Sequence, residues 1–300
     1  ISVIFMSIIL SPQCMEISKQ NVYFSYRQYR SYKSIMLMDV ICFTFYIMAT
    51  GIIVTGMFQE KGPNKLAAII SVLAAMGLHL AILRNGILVE PELGQNMSML
   101  NVASLVGWLI SVTMLIASFR LPNTILLPVV YSFTGLIVLL SGFMPSAHVM
   151  QINVNPNLLI HISLALFAYA CLAIASLYAV QLSYINFRLK EKNASLLHSS
   201  LPPLMAVENI LFKLLLVGTV LLTLSLVSGF MFLDNMFAKE QAHKTLLSLL
   251  AWGLYTLILT GHFMFGWRGR SVIWSTIVGG ILLTLAYFGS RFVREVILNA

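Results

Sequence analysis

Eight apolar runs, each close to twenty residues long and free of deep charges, govern what this chain can fold into. Lipid offers the backbone no hydrogen-bond partners, so a crossing segment must be a helix or a strand of a closed barrel. A helix rising 1.5 Å per residue needs about 20 apolar residues to cross a hydrocarbon core of about 30 Å. A barrel strand would instead alternate apolar and polar over about ten residues. The runs here are continuous, at roughly 38–58, 66–83, 102–119, 124–143, 158–184, 210–233, 245–265 and 271–290. The chain is therefore read as all-α, a polytopic membrane bundle of about eight transmembrane helices. Composition agrees. Apolar residues make up 59% of the chain and charged residues 9%, against about 45–50% and about 25% in a soluble domain.

Short polar loops separate the runs, many with Gly or Pro: Gly62-Pro63, Pro91, Pro122, Pro145, Pro156 and Pro202-Pro203. The net charge of +8 does not point to nucleic acid, because the cations are scattered between apolar runs with no basic-aromatic patch. They read as topology signals. Lys61, Lys65, Arg120, Arg188, Lys190, Lys192, Arg268 and Arg270 follow runs 1, 3, 5 and 7, whereas Arg84, Lys239 and Lys244 lie on the opposite side. The positive-inside bias assigns the first group to the cytoplasm and both ends of the bundle to the outside. Arg291 and Arg294 run against this weakly. Lys19, Arg27, Arg30 and Lys33 do so more strongly. Residues 1–37 are accordingly expected to be an extension ahead of a membrane domain at 38–300, with a natural start at Met36 or Met38. A signal peptide is the rival reading, but its charges would precede the apolar stretch at Ile1–Leu10 rather than follow it.

The three cysteines, Cys14, Cys42 and Cys171, form no CxxC pair, and no CxxCH is present. The chain is thus neither a dithiol redox protein nor itself a c-type cytochrome. Asp39 and Lys213 sit near run ends, and no acidic or basic residue lies deep in a run. This counts against a proton pump or an ion-coupled carrier.

Histidine remains. His161 opens run 5 and His243 immediately precedes run 7, so both fall near the same membrane surface. Neutral imidazoles there can bind a metal without burying charge. Two on facing helices, about 8–10 Å between axes, can clamp a heme iron from both faces. Lys244 and Arg84 lie at that level and suit heme propionates, while Trp252 and Tyr169 can wall a pocket. The plainer reading makes each histidine an interfacial cap or hydrogen-bond donor, and for His79 an interhelical hydrogen bond. His262 lies 19 residues beyond His243, about 28 Å along a helix, and cannot share its metal. His148 and His198 fall in loops and are expected to be solvated.

The segments HISLALFAYACLAIASLYAVQL (161–182), HKTLLSLLAWGLYTLILTGHFMFGWRGR (243–270) and LAYFGSRFV (285–293) resemble signature helices of the cytochrome c assembly family of heme-handling membrane proteins. GQNMSMLNVASLVGW, LLPVVYSF and LPPLMAVENILF extend the resemblance over essentially all of 38–300. It implies non-covalent, b-type heme held by paired histidines at the outer face of a bacterial inner membrane. Apocytochrome c or other assembly-complex subunits would be its partners. His161 and His262 then fall on family histidines, and His243 falls at the end of the family's tryptophan-rich heme motif. The chain departs from the family just there, because DNMFAKEQA (234–242) contains no tryptophan. Two alternatives stay open: a transporter or accessory subunit that has lost heme chemistry, and a b-type electron carrier. A heme chaperone of this kind would not be a classical enzyme.

Overall fold

The computed structural model describes residues 36–59, 62–87, 95–119, 123–143, 149–150, 156–190, 204–232 and 242–289. Eight helices in this set are long and apolar enough to cross a membrane. They are α1 (Met36–Met57), α2 (Lys65–Ile87), α3 (Met99–Ser118), α4 (Leu126–Phe143), α5 (Pro156–Lys190), α6 (Leu204–Phe232), α7 (Ala242–Phe265) and α8 (Arg270–Thr284). A π-helical segment, Leu285–Gly289, prolongs α8. The odd-numbered helices start on what is here called the His161 side, and the even-numbered ones on the Lys65 side.

Each helix matches one apolar run, but several outrun it. The 35-residue α5 would be about 52 Å long and carries its polar end, Asn186 to Lys190, well past the apolar stretch. Hydropathy marks what lipid tolerates, whereas the helix continues for as long as its backbone can pair. Local chemistry sets the starts. Pro156 occupies the first position of α5, where its missing N–H costs nothing. Ser98 caps α3 by accepting the Asn101 N–H, and Asn64 Oδ1 accepts the Ala67 N–H at the start of α2. Between α7 and α8 the chain reverses through Gly266 (φ 67°) and Gly269 (φ 77°), a backbone region glycine enters without a Cβ clash.

Two short strands add a feature the runs did not announce. β1 (Gln95–Asn96) pairs antiparallel with β2 (Val149–Met150), tying the α2–α3 and α4–α5 connections together on the His161 side.

The helices form two groups. In the first, α2 packs on α3 and α3 on α4. In the second, α5 packs along α6 and α8, and α7 fills against α6 and α8. Helices α3 and α4 join the groups through α5. The α5–α6 contact is the closest, because Gly218 lets Leu172 lie against the α6 backbone. One core runs through both groups, and a smaller cluster of Met97, Val102, Val106 and Leu166 lies at their seam. Large apolar side chains such as Leu80, Ile116, Phe133, Val217 and Leu257 stand half or more exposed. That outer surface suits lipid and would be untenable in water.

Candidate functional site

His161 sits in the second turn of α5, half-buried against α6. Its Nδ1 lies 3.0 Å from the Ser225 carbonyl oxygen and 3.1 Å from Ser228 Oγ. A carbonyl only accepts, so Nδ1 carries the proton and Nε2 keeps its lone pair. No described residue bonds Nε2. A backbone carbonyl behind Nδ1 is the support that metal-bound histidines commonly have. It fixes the tautomer and ring plane and raises the basicity of Nε2.

Aromatic residues lie farther along the second helix group. On α7 the Trp252 indole N–H donates to Thr223 Oγ1 at 2.8 Å. Thr223, Ser225 and Ser228 lie within two turns of α6, so a single stretch of α6 sets the heights of both His161 and Trp252. Two turns along α5 from His161, the Tyr169 hydroxyl lies 3.1 Å from Thr284 Oγ1. The Tyr169 ring stacks on Tyr287 at 5.5 Å and meets Phe288 edge-on at 5.7 Å. Tyr287 and Phe288 ride on the π-helical segment, a local widening often found at functional sites.

His243 is the second residue of α7 and is exposed. Its height follows from the Trp252–Thr223 bond. Nine residues of α7 separate Trp252 from His243, about 13.5 Å, and five of α6 separate Thr223 from Ser228, about 7.5 Å. The His243 backbone therefore stands roughly 6 Å, about one turn, farther out than Ser228, the outer of the two serines that hold His161. Helices α5 and α7 each pack on α6 and α8 rather than extensively on one another. Lys244 follows His243 and is partly buried; Arg84 is exposed in the last turn of α2, in the other helix group.

The remaining histidines are placed differently. His79 is fully buried in the first group. Its Nδ1 meets the Tyr46 hydroxyl at 3.1 Å and its Nε2 meets Ser104 Oγ at 2.8 Å, so both nitrogens are engaged. Tyr46 also meets the imidazole edge-on at 5.9 Å. His262 lies on the Lys65 side, stacked on Phe212 at 3.5 Å, with Nδ1 donating to the Trp267 carbonyl at 3.0 Å. Nearby, Arg268 and Glu208 form an ion pair at 4.0 Å. His148, His198 and most of the segment 234–242 lie outside the described residues.

Sequence reasoning singled out His161 and Trp252 but not their partners. Ser225, Ser228 and Thr223 read as ordinary small polar residues in an apolar helix. Ser225 and Ser228 are three apart and so share a face of α6, which is the one signal that pointed to them.

The described residues contain no group of three His, Cys, Asp or Glu able to hold a metal ion by themselves. A porphyrin supplies four equatorial nitrogens of its own. One or two histidines with free Nε2 atoms therefore fit a heme, whereas they do not fit a bare cation.

Fold and site together define a polytopic helical membrane protein with a carbonyl-backed histidine near the start of α5. Within that class, the chain belongs to the cytochrome c assembly family: the family described as Cytochrome C assembly protein matches residues 66–298. The chain is 42% identical to Inner membrane protein YpjD of Escherichia coli (strain K12) over 252 residues, covering 84% of this chain and 95% of that protein. It is 30% identical over 142 residues to an uncharacterized 28.8 kDa protein of Azospirillum brasilense, covering 47% of this chain and 52% of that one. No solved structure matches the chain.

Proposed function

We propose that this chain binds a non-covalent, b-type heme near the outer surface of a bacterial inner membrane and handles it for cytochrome assembly. The Nδ1–H bond from His161 to the Ser225 carbonyl is the observation that carries this reading. It holds Nε2 unprotonated in a fixed direction, which an axial ligand requires and an ordinary interfacial cap does not. The bound heme would supply the iron and its redox couple.

The chain's own residues bind and orient. Ser225 and Ser228 fix the His161 ring. Trp252, locked by Thr223, and the Tyr169–Tyr287–Phe288 stack give apolar walls that exclude water. His243, on the arm of α7 that stands about one turn farther out, would hold the heme iron together with His161. Lys244 and Arg84 meet the carboxylates. His79 acts as a strut joining three helices. His262 has the same carbonyl-backed Nδ1 as His161 but stands on the opposite side, stacked on Phe212, and would meet a second heme rather than the one at His161. Apocytochrome c or a subunit of an assembly complex is the recipient.

Variants read by heme content and optical spectrum test the assignment. His161→Ala loses at least ten-fold in heme per folded chain, and His161→Gly regains heme when imidazole is supplied. His243→Ala keeps heme but changes a six-coordinate spectrum to a five-coordinate one. Equal heme and an identical spectrum in all three and in the parent would remove both ligands. In that case the accessory-subunit or transport reading becomes the better one; the roughly 6 Å offset of His243 is the feature that favours it.

A further inference from the structure

The first helix group contains a cavity that the heme reading does not use. It has a volume of about 410 Å³ and lies among α1–α4 on the Lys65 side, away from His161. Its inner wall is apolar, with Ile53, Val72, Leu115 and Leu127 among its residues. Its rim is polar, with Lys65, Ser118, Asn123 and Thr124. At about 30 Å³ per water it would hold roughly a dozen waters against greasy walls, and its size lies in the range of small-molecule sites.

Three features bear on what enters. Lys65 puts an ammonium at the rim, and among the described residues no carboxylate lines the cavity. Helices α2 and α4 both begin there, at Lys65 and Leu126, so two helix N-termini turn their positive ends toward it. Deeper in, Tyr131, in the second turn of α4, lines the cavity and is only 1% exposed, so its ring closes the inner end against an apolar body.

We propose that this cavity is a binding site for an amphiphile with an anionic head, entering from the Lys65 side. The phosphate or carboxylate head rests at Lys65 and the two helix N-termini, and the apolar body fills the space lined by Val72 and Leu115. The ligand chemistry is shared by anionic lipids of the adjacent leaflet and by soluble amphiphilic anions.

Native mass spectrometry of the full chain in mild detergent tests this with two probes. One is phosphatidylglycerol, set against phosphatidylcholine with the same acyl chains. The other is dodecyl phosphate, a soluble anion. Lys65→Gln weakens retention of the anionic probe at least five-fold, Ala68→Phe fills the cavity and abolishes it, and Lys213→Gln, which removes an exposed cation elsewhere, leaves it unchanged. Ala68 is buried, so a thermal melt checks that its variant is folded; exposed Lys65 keeps the test decisive if it is not. Selective retention of phosphatidylglycerol assigns the site to a lipid, and retention of dodecyl phosphate alone assigns it to a soluble ligand. Retention of neither, or retention that Lys65→Gln does not change, overturns the proposal.

Discussion

At the residue scale, the histidines of this chain differ by what stands behind each ring. His79 has both nitrogens bonded and no exposed surface, whereas among the described residues His161 has only Nδ1 engaged. His79→Leu would leave the Tyr46 and Ser104 hydroxyls buried without their partner. At about 1–3 kcal/mol for each orphaned group, the variant is expected to lose roughly 2–6 kcal/mol. A melt in detergent reads this as a clear fall in midpoint, while heme per folded chain stays at the parent level. Loss of heme at an unchanged midpoint would instead make His79 a ligand. Sequence alone left a ligand and an interhelical bond both open for His79. Its partners lie 33 and 25 positions away, and no local pattern records such a distance. His161 was legible as a candidate because His243 falls near the same membrane surface and because the segment it opens resembles a family signature helix. The carbonyl that fixes its tautomer was not, since every helical residue has one.

At the scale of elements, glycine decides how closely α5 and α6 approach. A Cβ at Gly218 would stand 2.6 Å from Leu172 Cγ, inside the distance at which carbon atoms can sit. Gly218→Val should therefore push the two helices apart, costing about 1–3 kcal/mol. Because α6 carries Ser225, Ser228 and Thr223, the same change should also loosen His161 and lower heme occupancy. Thermal stability and heme content are expected to fall together; a variant that matches the parent in both would show that this contact carries little. The number and order of the helices were readable because a membrane crossing demands a long charge-free run. The π-helical segment at Leu285–Gly289 was not, since its register depends on Tyr287 and Phe288 reaching Tyr169 on another helix. The β1–β2 pairing escaped for the same reason, with only two residues in each strand.

At the scale of the whole molecule, charge placement sets which site faces which compartment. The Lys65 side carries most of the loop cations, so it should face the cytoplasm, and the His161 side should face out. In a chain without its natural cysteines, Ala242→Cys in intact cells should react with a membrane-impermeant thiol reagent. Arg268→Cys should react only after the cells are opened. The reverse pattern would invert the molecule and put the candidate heme site inside. The two proposed sites then lie on opposite sides: the carbonyl-backed His161 on one and the amphipathic cavity on the other.

The central claim is that the second helix group holds heme at His161. The most direct test is a reduced-minus-oxidised absorbance spectrum of the full chain, purified in mild detergent after expression with added heme precursor. The account predicts Soret and alpha bands at about one heme per chain, released by acid acetone because the heme is not covalently attached. A folded, monodisperse chain with no heme signal under those conditions would contradict it.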